Sequence, residues 1–266
     1  MPNTPSSWFH FLLKKGSSIT QALEELSSYQ VEEISFIENK EEDSTTFYGK
    51  GYSQNFPPTW QFFQSPVPTL FEVNWQEQWE LFCPYFKEGF CKIPLHIFKK
   101  DSKEEVLLHP GPGFGDLSHP TTHLMMELLG KYANNSTLID LGCGSGILGL
   151  TALKLGAEKV YCLDIEIDAI KHTKENAILN HLEKKLFAGK TLPKILDPTP
   201  NILCINMTFE EQKQAISCLP KIPDMLWLTS GILESQRKKY LAFAKSLNLT
   251  VKASYVKDKW LSFILI

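Results

Sequence analysis

The segment richest in chemistry is LIDLGCGSGILG, residues 138–149, a strand-like run that carries a carboxylate and leads into alternating glycines. Gly142, Gly144 and Gly146 remove side chains where the backbone must turn tightly and approach a ligand. The spacing is G-x-G-x-G, not the G-x-G-x-x-G of pyrophosphate-binding dehydrogenases. Taken alone, it is equally well satisfied by a tight strand-to-helix turn. The next strand-like run, KVYCLDIE, carries Asp164, 22 positions after Gly142. A carboxylate there can accept hydrogen bonds from both ribose hydroxyls of an adenosine cofactor, or it can cap the helix that follows. Asp140 stands at the end of a buried strand, a costly place for an unpartnered carboxylate. A cationic ligand group, reached directly or through water, would satisfy it, and so would a loop amide.

These residues sit inside a regular alternation. Apolar runs at Thr137–Leu141, Lys159–Leu163, Ile202–Ile205 and Met225–Thr229 are predicted strands. Amphipathic runs at Leu148–Leu155, Asp168–Asn180, Glu210–Leu219 and Ser235–Leu247 are predicted helices. Thr250–Val256 and Trp260–Ile266 read as a closing β-hairpin. Alternation of this kind predicts an α/β fold with a parallel sheet covered on both faces. The N-terminal part reads instead as a small α+β unit. Ile19, Ala22, Leu23 and Leu26 recur at helical spacing, with Ser18 or Thr20 available as cap. Val31–Glu38 and Thr46–Tyr52 are predicted strands, joined by a polar turn or loop at Asn39–Ser44. Pro57, Pro58, Pro66 and Pro68 make Asn55–Pro68 a loop or broken segment. Asn74–Cys83 is a predicted helix with Trp75, Trp79 and either Leu81 or Phe82 as its apolar stripe. The resulting division is 1–70, a linker helix within 71–88, and 89–266.

The 266 residues suffice for one or two domains with a sizeable core, and 43% hydrophobic and 21% charged residues are ordinary for a soluble globular chain. The net charge of −3 excludes an electrostatic nucleic-acid binder of the whole chain. Residues 1–72 nevertheless hold nine acids against four bases, a balance of −5. Absence of a long apolar run predicts no membrane span, and the N-terminus is not expected to direct export. The six cysteines contain no C-x-x-C pair and read as reduced cytoplasmic thiols rather than zinc ligands.

Taken together, these segments resemble the class I S-adenosylmethionine-dependent methyltransferases, and more closely the PrmA family of ribosomal protein L11 methyltransferases. The resemblance runs from about Val73. NWQEQWELFCPYFKEGFCKIP (74–94) resembles the family's linker helix and following strand. GPGFGDLSHPTTHLMMELL (111–129) resembles its signature ahead of the cofactor strand, and residues 138–180 resemble the glycine motif through the helix after the acidic position. NILCINMT (201–208) and LTSGILESQ (228–236) resemble two further strand elements. The resemblance implies a Rossmann-like class I methyltransferase domain with a mostly parallel seven-stranded sheet, S-adenosyl-L-methionine as cofactor, and amino groups of a ribosomal protein as methyl acceptors. It leaves the first 70 residues to recognise that protein.

The resemblance also implies that Phe114, Gly115, His119, Thr121 and Thr122 line the cofactor in a loop that opens a helix. Pro120 is pre-set for the first helical turn, where free amides favour a carboxylate. Capping is the other role open to His119 and the threonines. Asn206 follows a strand at the edge where α/β proteins bind ligands, and it would position the incoming amine or simply stabilise its loop. The family's F-G-T-G-x-H reads Phe114-Gly115-Asp116-Leu117-Ser118-His119 here. No nucleophilic residue is expected, and Cys143 reads as packing. Two other functions stay open at this level. One is a protein or nucleic-acid N-methyltransferase, since Asn206-Met207-Thr208-Phe209 faintly resembles an N-P-P-Y signature. The other is a cofactor-binding protein without catalysis.

Overall fold

The apolar alternation from residue 137 onward builds one seven-stranded sheet. Its strands are β8 (Thr137–Leu141), β9 (Lys159–Leu163), β10 (Leu186–Gly189), β11 (Ile202–Asn206), β12 (Leu226–Leu233), β13 (Val251–Lys257) and β14 (Trp260–Leu265). They lie in the order β10-β9-β8-β11-β12-β14-β13. The first five are mutually parallel, and β14 runs antiparallel between β12 and β13. The protein, a computed structural model, is described at residues 7–39, 44–52, 55–68, 75–220 and 223–266. The chain divides into two compact units, Met1–Val73 and Asn74–Ile266.

Period-two side-chain alternation sorts the central strands onto two cores. Leu138, Val160, Cys162, Ile202 and Cys204 belong to one core, while Ile139, Leu141, Tyr161, Leu163, Leu203 and Ile205 belong to the other. Burial on both faces is why these strands read as continuous apolar runs. Helices α3 (Pro120–Tyr132), α4 (Ile147–Lys154), α5 (Ile167–Leu179), α6 (Phe209–Ser217) and α7 (Arg237–Ser246) complete the alternation. Ahead of them come α2 (Trp75–Phe82) and the small antiparallel sheet of β5 (Phe86–Lys87), β6 (Phe90–Pro94) and β7 (Glu105–Leu108).

Helix α2 differs from its expected stripe. Trp79 and the following Cys83 are buried, whereas Leu81 and Phe82 are exposed. A spacing of four carries the inner face from Trp75 through Trp79 to Cys83, and this turns Leu81 and Phe82 outward.

The N-terminal unit has its own sheet and core. Strands β1 (Ser7–Leu12), β2 (Glu32–Asn39), β3 (Ser44–Gly51) and β4 (Val67–Pro68) are antiparallel in the order β2-β3-β1-β4. Helix α1 (Ile19–Ser28) buries Ala22 and Leu26 against Phe9, Phe11, Phe47, Trp60 and Phe63. Ser18 occupies the N-cap position, but its side chain makes no capping bond. The proline-containing segment is tied down by charge. Glu25 accepts from the Gln61 and Phe62 amides at 2.6 and 2.9 Å, and Lys14 Nζ donates to the Trp60 carbonyl at 2.7 Å. Of the predicted 39–44 turn, residues 40–43 lie outside the described residues, as do residues 69–74 at the predicted start of the linker.

Candidate functional site

Strand β8 has β9 on one side and β11 on the other, and the chain reverses direction of winding there. Open α/β sheets bind ligands at such a switch point, outside the carboxyl ends of the strands. The loop leaving β8 holds Gly142, Gly144 and Gly146 at φ values of +74°, +54° and +82°, conformations that glycine adopts without steric cost. Their missing side chains leave room chiefly for other parts of the protein. A Cβ on Gly144 would strike the Phe114 backbone, and one on Gly142 would strike the Met207 side chain.

Asp164 follows β9 and is half-buried. Its Oδ2 accepts from the Gly144 amide and its Oδ1 from the Glu166 amide, each at 3.0 Å. The carboxylate therefore braces the glycine loop and the turn into α5 together. Beside it, Ile165 is 77% exposed, an apolar platform that the sequence reading missed.

Asp140 finds an amide partner in helix α4 rather than in a loop. Oδ2 accepts from the Gly149 amide in the first turn of α4 at 3.0 Å, while the buried Oδ1 has no hydrogen-bond partner among the described residues. Register places Cys162 and Cys204 beside it on the neighbouring strands, within the α4-covered core. Burial pushes its carboxyl up to about 7, against the lowering effect of the Gly149 amide, and the Asp164 charge adds to the rise.

The segment 113–122 docks on the glycine loop through main-chain bonds. The Phe114 carbonyl accepts from the Ser145 amide at 2.9 Å, and the Gly115 carbonyl accepts from Ser145 Oγ at 2.6 Å. Asp116 Oδ1 accepts from the Ser118 amide at 3.0 Å and from Ser118 Oγ at 2.6 Å. Leu117 is buried at a φ of +71°, a glycine-favouring conformation at the position where the family pattern has glycine. His119 is the N-cap of α3, with Nδ1 2.8 Å from Thr121 Oγ1 and accepting the Thr121 amide at 3.3 Å. Its ring meets Trp260 edge-on at 4.9 Å. Thr121 and Thr122 are buried, and Phe114 is 55% exposed.

Asn206 ends β11. Its Nδ2 donates to Thr122 Oγ1 at 3.5 Å, which orients the amide and leaves Oδ1 without a partner among the described residues. The following turn is set by Gln212, whose Nε2 donates to the Met207 and Ser230 carbonyls at 2.9 and 2.7 Å. Gln212 Oε1 in turn accepts from Tyr240 Oη at 3.2 Å. Gln212→Leu removes the side-chain donor to both carbonyls, while Tyr240 Oη keeps Thr229 Oγ1 at 2.6 Å. Thermal unfolding should show a loss of about 2–3 kcal/mol, and an unchanged midpoint would refute this role. Phe209 is buried between Tyr240 and Phe243, with both ring pairs at 5.5 Å, and presents no free face for a base to stack on.

The sequence reading also missed an inner polar stripe on α5, formed by His172, Thr173, Asn176 and Asn180. Thr173 Oγ1 donates to the Gly144 carbonyl at 3.0 Å, and Asn176 Nδ2 donates to the Ser145 carbonyl at 2.9 Å. Asn176 Oδ1 accepts from the His109 amide at 2.8 Å, and Asn180 brackets Leu107 at 2.9 and 2.6 Å. The signal was present: Lys171, Lys174 and Glu175 mark the outer face of α5, so its uncharged polar residues must face inward.

Residues 13–265 match the family described as "Ribosomal protein L11 methyltransferase (PrmA)". A ribosomal protein L11 methyltransferase of Photobacterium profundum is 30% identical over 223 residues, covering 78% of this chain and 72% of its own. Its counterpart in Shewanella pealeana is 34% identical over 205 residues, covering 74% and 69%. The crystal structure of a ribosomal protein L11 methylase from Lactobacillus delbrueckii subsp. bulgaricus superposes with a TM-score of 0.51 at 28% identity, over 60% of this chain and 83% of that one. With a switch-point glycine loop, two carboxylates and an oriented asparagine on a sheet of this order, the chain belongs to the PrmA family of ribosomal protein L11 methyltransferases.

Proposed function

We propose that this chain uses S-adenosyl-L-methionine to methylate amino groups of ribosomal protein L11, its N-terminal amine and lysines. Family membership supports the acceptor. The observation that carries the cofactor is the carboxylate pair at the switch point, one buried oxygen of which has no partner among the described residues. That orphaned oxygen fits a cationic amino group, and Asp164 with exposed Ile165 beside it fits a ribose and a purine. The opening turn of α3, with His119 and Thr121, is the proposed holder of the carboxylate, by the preference of a helix N-terminus for an anion.

Bound S-adenosyl-L-methionine would supply a methyl group already activated on a sulfonium. The chain's own task is then alignment and exclusion of water, with no strong base required. Asn206, whose Nδ2 lies 3.5 Å from Thr122 Oγ1, would accept an N–H of a neutral amine through Oδ1 and so aim its lone pair. Phe114 and the edge-on His119–Trp260 pair provide apolar cover nearby. The intact arrangement speaks against a protein that has lost catalysis, and buried Phe209 speaks against an enzyme acting on nucleobases. Among the described residues no helix is long and apolar enough to cross a membrane. A ribosomal substrate supports a cytoplasmic setting for the reaction.

The test is transfer of tritiated methyl groups to ribosomal subunits from a strain lacking the gene, followed by identification of the labelled component. Label in L11 supports the proposal; label only in another protein or in RNA, or none, refutes it.

Asp140 gives a second, opposite-signed pair of outcomes. Its pKa is raised to about 7, so the folded ligand-free protein holds a proton that the unfolded chain releases near pH 4. Stability should therefore fall as pH rises from about 4 through about 7 and stay low above. Asp140→Asn should abolish that slope and stabilise the free protein at pH 8, on the order of 2–4 kcal/mol. The same change should weaken cofactor binding, because the amide cannot neutralise an ammonium. Denaturant titrations at several pH values and calorimetry check the two signs.

A further inference from the structure

His172 lies buried on the inner face of α5, and both of its ring nitrogens are committed to main-chain atoms of the segment leading into the cofactor loop. The Gly113 amide reaches Nδ1 at 3.2 Å, and Nε2 lies 2.8 Å from the His109 carbonyl. An amide can only donate and a carbonyl can only accept. The neutral ring with its proton on Nε2 is thus the one form that satisfies both. The segment is pressed onto the imidazole: a Cβ on Gly111 would fall 2.6 Å from Nε2. Behind the ring stands Trp79 of α2, edge-on at 5.9 Å. In front, Gly113 abuts the backbone of Gly144 and Ser145 so closely that a side chain there would strike them.

We propose that His172 is a positioning residue for the cofactor loop: its unprotonated Nδ1 holds Gly113, and thereby sets how Phe114 and Gly115 seat on Gly144 and Ser145. The proposal rests on the cofactor reading above and assigns no chemistry to the imidazole itself. Protonation would place an N–H against the Gly113 N–H and release the segment. Burial holds the pKa of His172 below the usual histidine value, and the bond to the His109 carbonyl and the Glu175 charge oppose that lowering. The His109 imidazole adds to the lowering, while Trp79 of α2 carries no charge. The ring therefore stays neutral at physiological pH and is charged only in the acid range.

Three substitutions separate this role from mere packing. The Oδ1 of His172→Asn can occupy the place of Nδ1 and accept from Gly113. The side chain of His172→Gln reaches the place of Nε2 and serves only His109. His172→Phe keeps the ring and serves neither. S-adenosyl-L-methionine affinity by calorimetry should fall about 5- to 10-fold in the Gln and Phe variants, the worth of one hydrogen bond, and stay within about 2-fold of wild type in the Asn variant. The KM for the cofactor should follow the same order, with kcat little changed. Amide exchange of Gly113 in the ligand-free protein should quicken in the Gln and Phe variants alone. Lowering pH should cost the wild type more cofactor affinity than it costs the Asn variant, which has no imidazole to protonate. Equal losses in all three variants, or unchanged affinity and unchanged exchange, would overturn the proposal. Failure of the wild type to bind S-adenosyl-L-methionine would instead overturn the cofactor reading, and Gly113 exchange would still decide whether His172 holds the loop.

Discussion

Replacing Asp164 by alanine should weaken S-adenosyl-L-methionine binding about 10- to 100-fold, since leaving hydroxyls unpaired costs about 1–3 kcal/mol. Two contributions converge on this carboxylate. In the proposed function it accepts from ribose hydroxyls at the end of β9, and in the structure it braces the Gly144 and Glu166 amides at 3.0 Å each. Asp164→Asn weakens both. Its one oxygen can keep a single amide bond, but its NH2 cannot accept from a second donor. Calorimetry gives the cofactor affinity, and thermal unfolding without ligand gives the bracing alone. A large stability loss with unchanged affinity would leave Asp164 a loop brace and nothing more.

Asp164 shows what a sequence conveys and what it withholds. A carboxylate 22 positions beyond the first glycine, at a strand end, announces an acceptor. It does not announce that the same oxygens hold the loop before any ligand arrives. Strands β8, β9 and β11 were legible because burial on both faces demands unbroken apolar runs. Strand β10 is four residues long and contains Ala188 and Gly189, too little pattern to separate it from a loop. Strand β1 at Ser7–Leu12 was overlooked although Phe9 and Phe11 anchor the N-terminal core.

The site residues divide in the same way. Asp140 was recognisable as an expensive buried charge, but not that one oxygen would be satisfied by α4 and the other have no partner among the described residues. The α5 stripe was hidden because uncharged polar residues on an amphipathic helix resemble a solvent face until the charged ones are placed. Leu117 is a different case. Where the family pattern has glycine, the backbone keeps a left-handed conformation at φ +71°, and a leucine occupies it with its side chain buried. Backbone strain of about 1–2 kcal/mol is offset by burial worth about 1.5–3 kcal/mol. A change that looks disruptive in sequence is therefore compatible with the same loop path.

A chain cut to begin at Asn74 should bind S-adenosyl-L-methionine within about 2-fold of the full protein yet lose at least ~100-fold in methyl transfer to intact L11, because holding the acceptor in place supplies most of the rate. Every residue assigned to the cofactor lies in the Asn74–Ile266 unit, which has its own cores. The N-terminal unit has a separate aromatic core around Phe11, Phe47, Trp60 and Phe63 and needs no residue of the cofactor site to form it. Over residues 1–72 nine acids face four bases, a field suited to attracting a basic ribosomal protein. Raising ionic strength should therefore slow methylation of L11 by the full chain while leaving cofactor affinity nearly constant. Short lysine peptides, which offer no folded surface to recognise, should be methylated equally poorly by the full and the cut chain. If the cut chain methylates intact L11 at the full rate, substrate recognition does not reside in residues 1–73. If it loses the cofactor, the N-terminal unit contributes to the catalytic fold.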